Sequence, residues 1–403
     1  MGISMTPWQR TAHGANLLDS TGQPGVTIFE EITALANKHQ AINLGQGFPD
    51  TEGPEEIRQI AVDAILGGAN QYAPGSGTQQ LREAISEHQE RFYSLKIDPV
   101  SEVVVSTGAT EAIAAALLAF IEPGDEVVTF EPFYDSYAAM IGLTEAKHKV
   151  VPLHAPTFEP DLDQLRSAVS DQTRIILINN PHNPTGAVFS TDVLNEVIAL
   201  AHKHDCIIVS DEVYEHLTFG TKHTPIASLP GGFERTITIS SAGKSFSFTG
   251  WKVGWATGPK DLITALRTVK QFLTYSSGPA FQPAVAQALR LPDTFYQKFA
   301  GSLEEGAKAL SAGLEAAGIP VIRPSGTYFL VADINQFKRN DAVHVARMMP
   351  EQVGVAAIPL SVFVQPENVR HYQGFLRFAF CKQPHVISAA AQKLQRLPEV
   401  LNR

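Results

Sequence analysis

Short apolar runs recur through the middle of the chain: "EVVVST" at 102–107, "EVVTF" at 126–130, "RIILIN" at 174–179, "CIIVSD" at 206–211 and "TITIS" at 236–240. Helix-period stretches such as "ATEAIAAALLAF" lie between most of them. Strands alternating with helices predict a mostly parallel α/β sheet covered on both faces. Upstream, Thr27 and Glu30 have capping-box spacing, and Ile28, Ile32 and Leu35 continue at helical period. A further helix opens at Pro54, and the glycine-rich turn "QYAPGSGTQQL" follows. Residues 1–26 are polar with scattered Gly and Pro and read as an extended arm. From about residue 294 a long helix runs towards Gly318. Strand-like "TYFLVAD", "VGVAAIPL" and "FLRFAF" and a closing helix then suggest a smaller α/β unit.

With 403 residues, two domains are expected. The net charge of −10, without a long basic run, argues against nucleic acid as the partner. No charge-free apolar stretch approaches the length of a membrane span, and no signal-peptide core is seen at the N-terminus, so a cytoplasmic protein is expected. Gly2 and Thr6 match the short myristoylation pattern, which also arises by chance. Cys206 and Cys381 both sit in apolar runs and read as buried thiols rather than a disulfide. No metal-ligand set is read.

Open parallel sheets bind ligands at the carboxyl ends of their strands. Gly108, Tyr134, Asn183, Asp211 and Lys244 all fall there. Gly108-Ala109-Thr110 opens a helix, whose unpaired first-turn N–H groups suit a phosphate. In "NNPHNPTG", prolines and a glycine fix a turn around Asn183. Asp211, ending a buried strand, needs a partner: Lys244, Lys252 or a protonated ring nitrogen on a cofactor. Tyr214 offers a phenol to the same place, and Lys252 and Arg377 are cations available to anions.

"SSAGKSFSFTGWKVGW" contains Gly243-Lys244-Ser245, which invites a P-loop reading. That loop needs a glycine five residues before Gly243, where Thr238 stands inside a β-branched run. Lys244 is then either a surface lysine on a loop or, in an apolar, cation-rich pocket, a nucleophile with a depressed pKa.

Together, "NNPHNPTG", "SDEVYEHL", "SSAGKSFSFTGWKVGWATGP" and "LRFAF" resemble the class I aminotransferases, from "INLGQGFPD" to "LRFAF". "NLGQGFPD", "EPFYDSY" and "GWKVGW" look most like the kynurenine, glutamine and methionine aminotransferase group, with a further likeness to actinobacterial N-succinyldiaminopimelate aminotransferases. The resemblance implies the aspartate-aminotransferase fold: a large domain (55–295) with a mostly parallel seven-stranded sheet, and a small α/β domain (27–54 and 296–403). It implies a pyridoxal 5'-phosphate enzyme acting on an L-amino acid and a 2-oxo acid as a homodimer with shared sites. Lys244 would form the Schiff base and shuttle a proton; Asp211 would pair with the pyridine nitrogen. Asn183 and Tyr214 would bond the ring 3-oxygen, and Tyr134 would stack on the ring. Gly108, Ala109, Thr110, Ser241 and Lys252 would surround the phosphate, with Tyr72 from a second subunit. Arg377 would grip the substrate carboxylate, assisted by Gly47 and Asn183. In animal kynurenine enzymes the position of Phe29 holds a tryptophan and that of Thr110 an aromatic, and bulky residues lie near Ser276 and Ser277. These departures point away from an aromatic substrate. The same residues would also serve β-elimination from cysteine conjugates or cystathionine.

Overall fold

The computed structural model describes residues 5–19 and 21–403, so Gly2 of the myristoylation pattern lies outside the described residues. A seven-stranded sheet runs in the order Val103–Ser106, Gly254–Thr257, Thr236–Ser241, Ile207–Asp211, Thr173–Asn179, Glu126–Glu131, Lys147–Pro152. Every neighbouring pair is parallel except those of Gly254–Thr257, which runs antiparallel to both its neighbours. The two-residue period of Thr173–Asn179 sends Ile175 and Leu177 to one face and Ile176 and Ile178 to the other. Ala112, Ile113 and Ala116 of helix Gly108–Phe120 join the core on the first face. Val193, Leu194 and Val197 of helix Thr191–Lys203 join it on the second. Burial on both faces is why these strands read as continuous apolar runs.

Two strands of this sheet escaped the sequence reading. Lys147–Pro152 is an edge strand whose exposed lysines alternate with half-buried His148 and Val150. Gly254–Thr257 is short and begins on a glycine.

The remaining residues build a four-stranded sheet, in the order Ile358–Pro359, Phe375–Ala379, Phe329–Asp333, Val321–Ile322, with antiparallel pairing throughout. Helices Asp293–Ala316 and Pro384–Leu394 pack against each other, burying Leu310, Leu314 and Ile387. Ile42–Asn43 pairs in parallel with Val355–Ala356, and the Ala379 N–H donates to the Leu44 carbonyl at 2.7 Å. Segment 42–47 is thereby laid beside the strand that carries Arg377.

The expected extended arm is corrected: Pro7–Gly14 is a helix with a Thr6/Gln9 capping box and proline in its first turn. Proline breaks helix interiors but suits a first turn, and the polar surface of this helix gave no core-facing stripe to read. It packs on helix Asp135–Thr144 at very close range. A Cβ on Gly14 would meet the Ala138 carbonyl at 2.2 Å, and one on Gly142 the Arg10 carbonyl at 2.6 Å. Glycine is the residue that allows this approach.

Candidate active site

The residues assigned cofactor or substrate roles from sequence, except Tyr72, line one cavity of about 310 Å³ at the carboxyl ends of the central strands. Gly108, Ala109 and Thr110 form the start of a helix whose preceding residue, Thr107, makes no side-chain cap. Gly108 has φ +78°, and a Cβ there would lie 3.0 Å from the Lys252 ammonium. Gly254 presses on the same turn, where a Cβ would meet the Ala109 nitrogen at 2.7 Å. Ser241 ends the neighbouring strand, buried, next to the short helix Ala242–Ser245. An uncapped helix start beside a hydroxyl and an ammonium has the chemistry of an anion cradle.

Asp211 is buried at the end of its strand, and its burial pushes the carboxyl up to about 6. Its hydrogen-bond partner is neither of the lysines considered from sequence. The Tyr137 phenol donates to Oδ2 at 2.5 Å, and the Val213 N–H donates to Oδ1 at 3.3 Å. The Asn179 amide donates to the Asp211 backbone carbonyl at 2.9 Å and accepts from the Asn183 N–H at 2.7 Å. Register explains the contact, since Asn179 and Asp211 are paired across adjacent strands. Neither Tyr137 nor Asn179 was found by sequence, although "EPFYDSY" and "NNPHNPTG" contain them.

Lys244 faces this cavity with no hydrogen-bond acceptor among the described residues. Its Nζ lies 6.0 Å from the Tyr214 ring centre and 5.7 Å from that of Tyr328. Desolvation lowers its pKa, with neighbouring Lys252 and Arg377 acting in the same direction. Tyr214 is buried, edge-on to Tyr328. Tyr134 caps the start of helix Asp135–Thr144, and desolvation pushes its phenol up to about 12.

Arg377 is buried in an aromatic cage, with its guanidinium 4.1 Å from the Phe329 ring centre, 4.8 Å from Phe363 and 5.7 Å from Phe29. Nη1 donates to the Asn183 side-chain oxygen at 3.1 Å and Nη2 to the Gly45 carbonyl at 2.9 Å. Nε is buried without a partner among the described residues. Desolvation pulls the guanidinium down to about 10, and nothing in its direct contacts is a carboxylate. Gly45 is a contact that sequence missed, because a backbone carbonyl has no residue signature. Gly47 cannot carry a side chain, since a Cβ would meet Phe329 at 2.5 Å, and its carbonyl accepts from the Tyr328 phenol at 2.6 Å.

Tyr72 stands apart. It is 82% exposed and touches Tyr275 edge-on, outside the cavity lining. Ser276 and Ser277 also lie outside that lining. Behind Tyr214, His88, Glu215 and His216 gather with the two imidazole Nε2 atoms 2.7 Å apart. Burial holds both rings below the usual histidine range, as a neutral His–His hydrogen bond requires. Among the described residues no helix is long and apolar enough to cross a membrane.

The family described as aminotransferase class I and II matches residues 39–394. The chain is 46% identical over 382 residues to a probable N-succinyldiaminopimelate aminotransferase of Mycobacterium tuberculosis, covering 93% of this chain and 96% of that one. It is 38% identical to the methionine aminotransferase of Escherichia coli, covering 93% and 97%. The solved structure of N-succinyldiaminopimelate aminotransferase from Mycobacterium tuberculosis superposes with a TM-score of 0.91 at 44% identity, covering 98% of this chain and all of that one.

Proposed function

This chain belongs to the class I and II aminotransferase family of pyridoxal-phosphate-dependent transaminases, and we propose that its amino donor is N-succinyl-diaminopimelate or a close relative, with a 2-oxo acid as acceptor. The observation that carries the reading is the disposition of Lys244, Asp211 and Arg377: a lysine with a lowered pKa and no acceptor among the described residues shares one cavity with a buried carboxylate and a buried guanidinium.

The residues fit pyridoxal phosphate at three points. The uncapped turn Gly108–Thr110, with Ser241 and Lys252, would hold the phosphate. Asp211 has lone pairs beyond those engaged by Tyr137 and Val213, and would pair with the ring nitrogen. Lys244 would be the covalent anchor, with Asn183 and Tyr214 at the 3-oxygen and Tyr134 over the ring face. When bound, the cofactor supplies a sink for the electron pair left on the substrate Cα.

The chain's own residues do the rest. The free Nε of Arg377 and its Nη atoms would take the substrate carboxylate side-on, with Asn183 already fixed against Nη1 and Gly47 beside it. Phe29 and Phe329 keep water from that ion pair, which strengthens it. The Lys244 amine, held towards its neutral form by desolvation, would take the proton from Cα. Residues 27–54 with 296–403 would act as a small domain against 55–295. We further propose a cytoplasmic homodimer in which Tyr72 reaches the phosphate of the second copy.

A donor–acceptor screen tests the reading. Purified protein is offered N-succinyl-LL-diaminopimelate, methionine, glutamine, kynurenine and aromatic amino acids, each with 2-oxoglutarate. N-succinyl-LL-diaminopimelate is expected to lead by about tenfold or more in kcat/KM, the selectivity that one charged contact supplies. Pyruvate and ammonia released from cystathionine or cysteine conjugates without an acceptor, as the faster reaction, would overturn it.

A further inference from the structure

A second cavity, of about 430 Å³, adjoins the first, and Phe29 and Asp135 wall both. The Phe29 ring lies 5.8 Å from that of Phe363, which lines the second cavity. Both rings also flank the Arg377 guanidinium. A donor whose α-carboxylate sat on Arg377 would therefore be held beside the two rings that stand between the cavities. The far walls come from the N-terminal arm around Ala15–Leu17 and from helix Ala342–Gln352. The lining is largely apolar, with Ile28, Val343 and Val362.

Its charged groups are Glu31, Arg347 and Asp135. Arg347 donates from Nε and Nη2 to the two oxygens of Glu31, at 2.7 and 3.0 Å. Glu31 thus orients the guanidinium and leaves the Nη1 edge without an acceptor among the described residues. An arginine has five donors in a fixed plane, so that free edge accommodates a second carboxylate. Asp135 accepts a hydrogen bond from the Ser136 N–H, and burial raises its pKa against that bond.

We propose that the second cavity receives the far end of a long amino donor, and that Arg347 binds a carboxylate there. The proposal rests on the aminotransferase reading and adds a distal acid subsite to it. Because the arm forms one wall, the subsite also gives the helix Pro7–Gly14 and its close packing a purpose: they hold that wall in place.

The test is a comparison of two donors on three variants. N-succinyl-LL-diaminopimelate is the long acidic donor and methionine the short neutral one. Arg347→Ala is expected to raise KM for the long donor about tenfold, with kcat within about twofold, as loss of one charge-assisted bond at a half-exposed site should do. Methionine kinetics should stay within about twofold of the parent, since nothing in that donor reaches Arg347. Arg347→Lys should recover part of the loss. Val343→Trp, which fills the cavity, should suppress the long donor and spare methionine, with its Tm measured to confirm folding.

Equal effects on both donors, or none on either, would overturn the subsite while the transaminase reading stood. So would a parental preference for an N-butyryl analogue that lacks the terminal carboxylate. If the parent transaminates neither donor, the functional reading fails. Calorimetric binding of N-succinyl-LL-diaminopimelate to parent and Arg347→Ala then decides the subsite by the same tenfold criterion.

Discussion

At the scale of residues, the chemistry turns on groups that burial would make expensive without a partner. Lys244 has none among the described residues, and desolvation holds its amine towards the nucleophilic form. Borohydride treatment of protein loaded with pyridoxal phosphate, followed by peptide mapping, is expected to place a single cofactor adduct on Lys244. An adduct on Lys252 would exchange the two roles and remove the premise. Asp211 presents the opposite problem. Burial raises it to about 6, and the hydrogen bond from the Tyr137 phenol is the main force opposing that rise. A carboxyl with a raised pKa is charged only above that pKa, so pairing to a ring N–H⁺ should weaken as pH falls through about 6. Tyr137→Phe removes the opposing bond, so the acidic limb should move upwards, towards neutrality, and cofactor affinity at pH 7 should drop about tenfold or more. Titrating cofactor release by absorbance between pH 5 and 8 checks it. A limb unmoved in Tyr137→Phe would mean the phenol does not tune the carboxyl. Asp211 and Lys244 were legible in the sequence because each ends or follows a β-branched run. Tyr137 was not, because its contact depends on sheet order, which places the helix after one strand against the end of another two positions away.

At the scale of elements, the site is assembled where the two sheets meet, and one buried carboxyl joins them. Glu131 ends strand Glu126–Glu131, and its side chain accepts from the Gln365 N–H and, at 2.6 Å, from the Asn368 amide. Two residues on, the Phe133 N–H donates to the Phe363 carbonyl at 2.8 Å. The strand end that leads to Tyr134 is thus tied to the segment carrying Phe363, one wall of the arginine cage. Burial pushes Glu131 up to about 7, against its two hydrogen bonds. Between pH 4.5 and 7 the folded protein therefore holds a proton that the unfolded chain has released. Stability should fall as pH rises through that window, by up to about 3 kcal/mol from this group. Glu131→Gln cannot ionise, so its stability should lose that part of the slope, and the variant should compare best with the parent at pH 8. Urea unfolding at pH 5 and 8 measures it; parallel pH dependences would show that Glu131 stays ionised in the fold. None of this junction was visible in the sequence, where "FEPFYDSY" and "VFVQPEN" are far apart and neither is regular. The central strands were visible because both of their faces are buried. The edge strand Lys147–Pro152 was not, because solvent admits Lys147 and Lys149 on its open side and a polar histidine sits on the other.

At the scale of the molecule, one site residue remains unaccounted for within a single chain. Tyr72 is 82% exposed and meets the partly open Tyr275 edge-on, and Phe272 and Leu273, at the helix end just before Tyr275, are also open to solvent. Isolated exposed apolar residues are ordinary, but aromatic and aliphatic side chains gathered on one face are the composition of an interface core. Two-fold symmetry is the commonest way to cover such a face. If the face is covered by a second copy, Tyr72 leaves solvent and serves the phosphate cradle of that copy, and each site draws on both chains. Complementation separates this from a tyrosine that serves its own chain. Lys244→Ala protein has no covalent anchor but an intact Tyr72; Tyr72→Ala protein has the anchor but a weakened phosphate site. With shared sites, a mixed dimer contains one fully intact site, formed by Lys244 of one chain and Tyr72 of the other. Random exchange at equal amounts makes about half of the dimers mixed and so restores about a quarter of parental sites. Activity at limiting cofactor should rise to that level on mixing and stay absent in either protein alone. If Tyr72 acts within its own chain, every site in the mixture carries one defect, and mixing restores nothing. A monomer by sedimentation at assay concentration would end the shared-site proposal outright, and would leave the exposed aromatic face without an occupant.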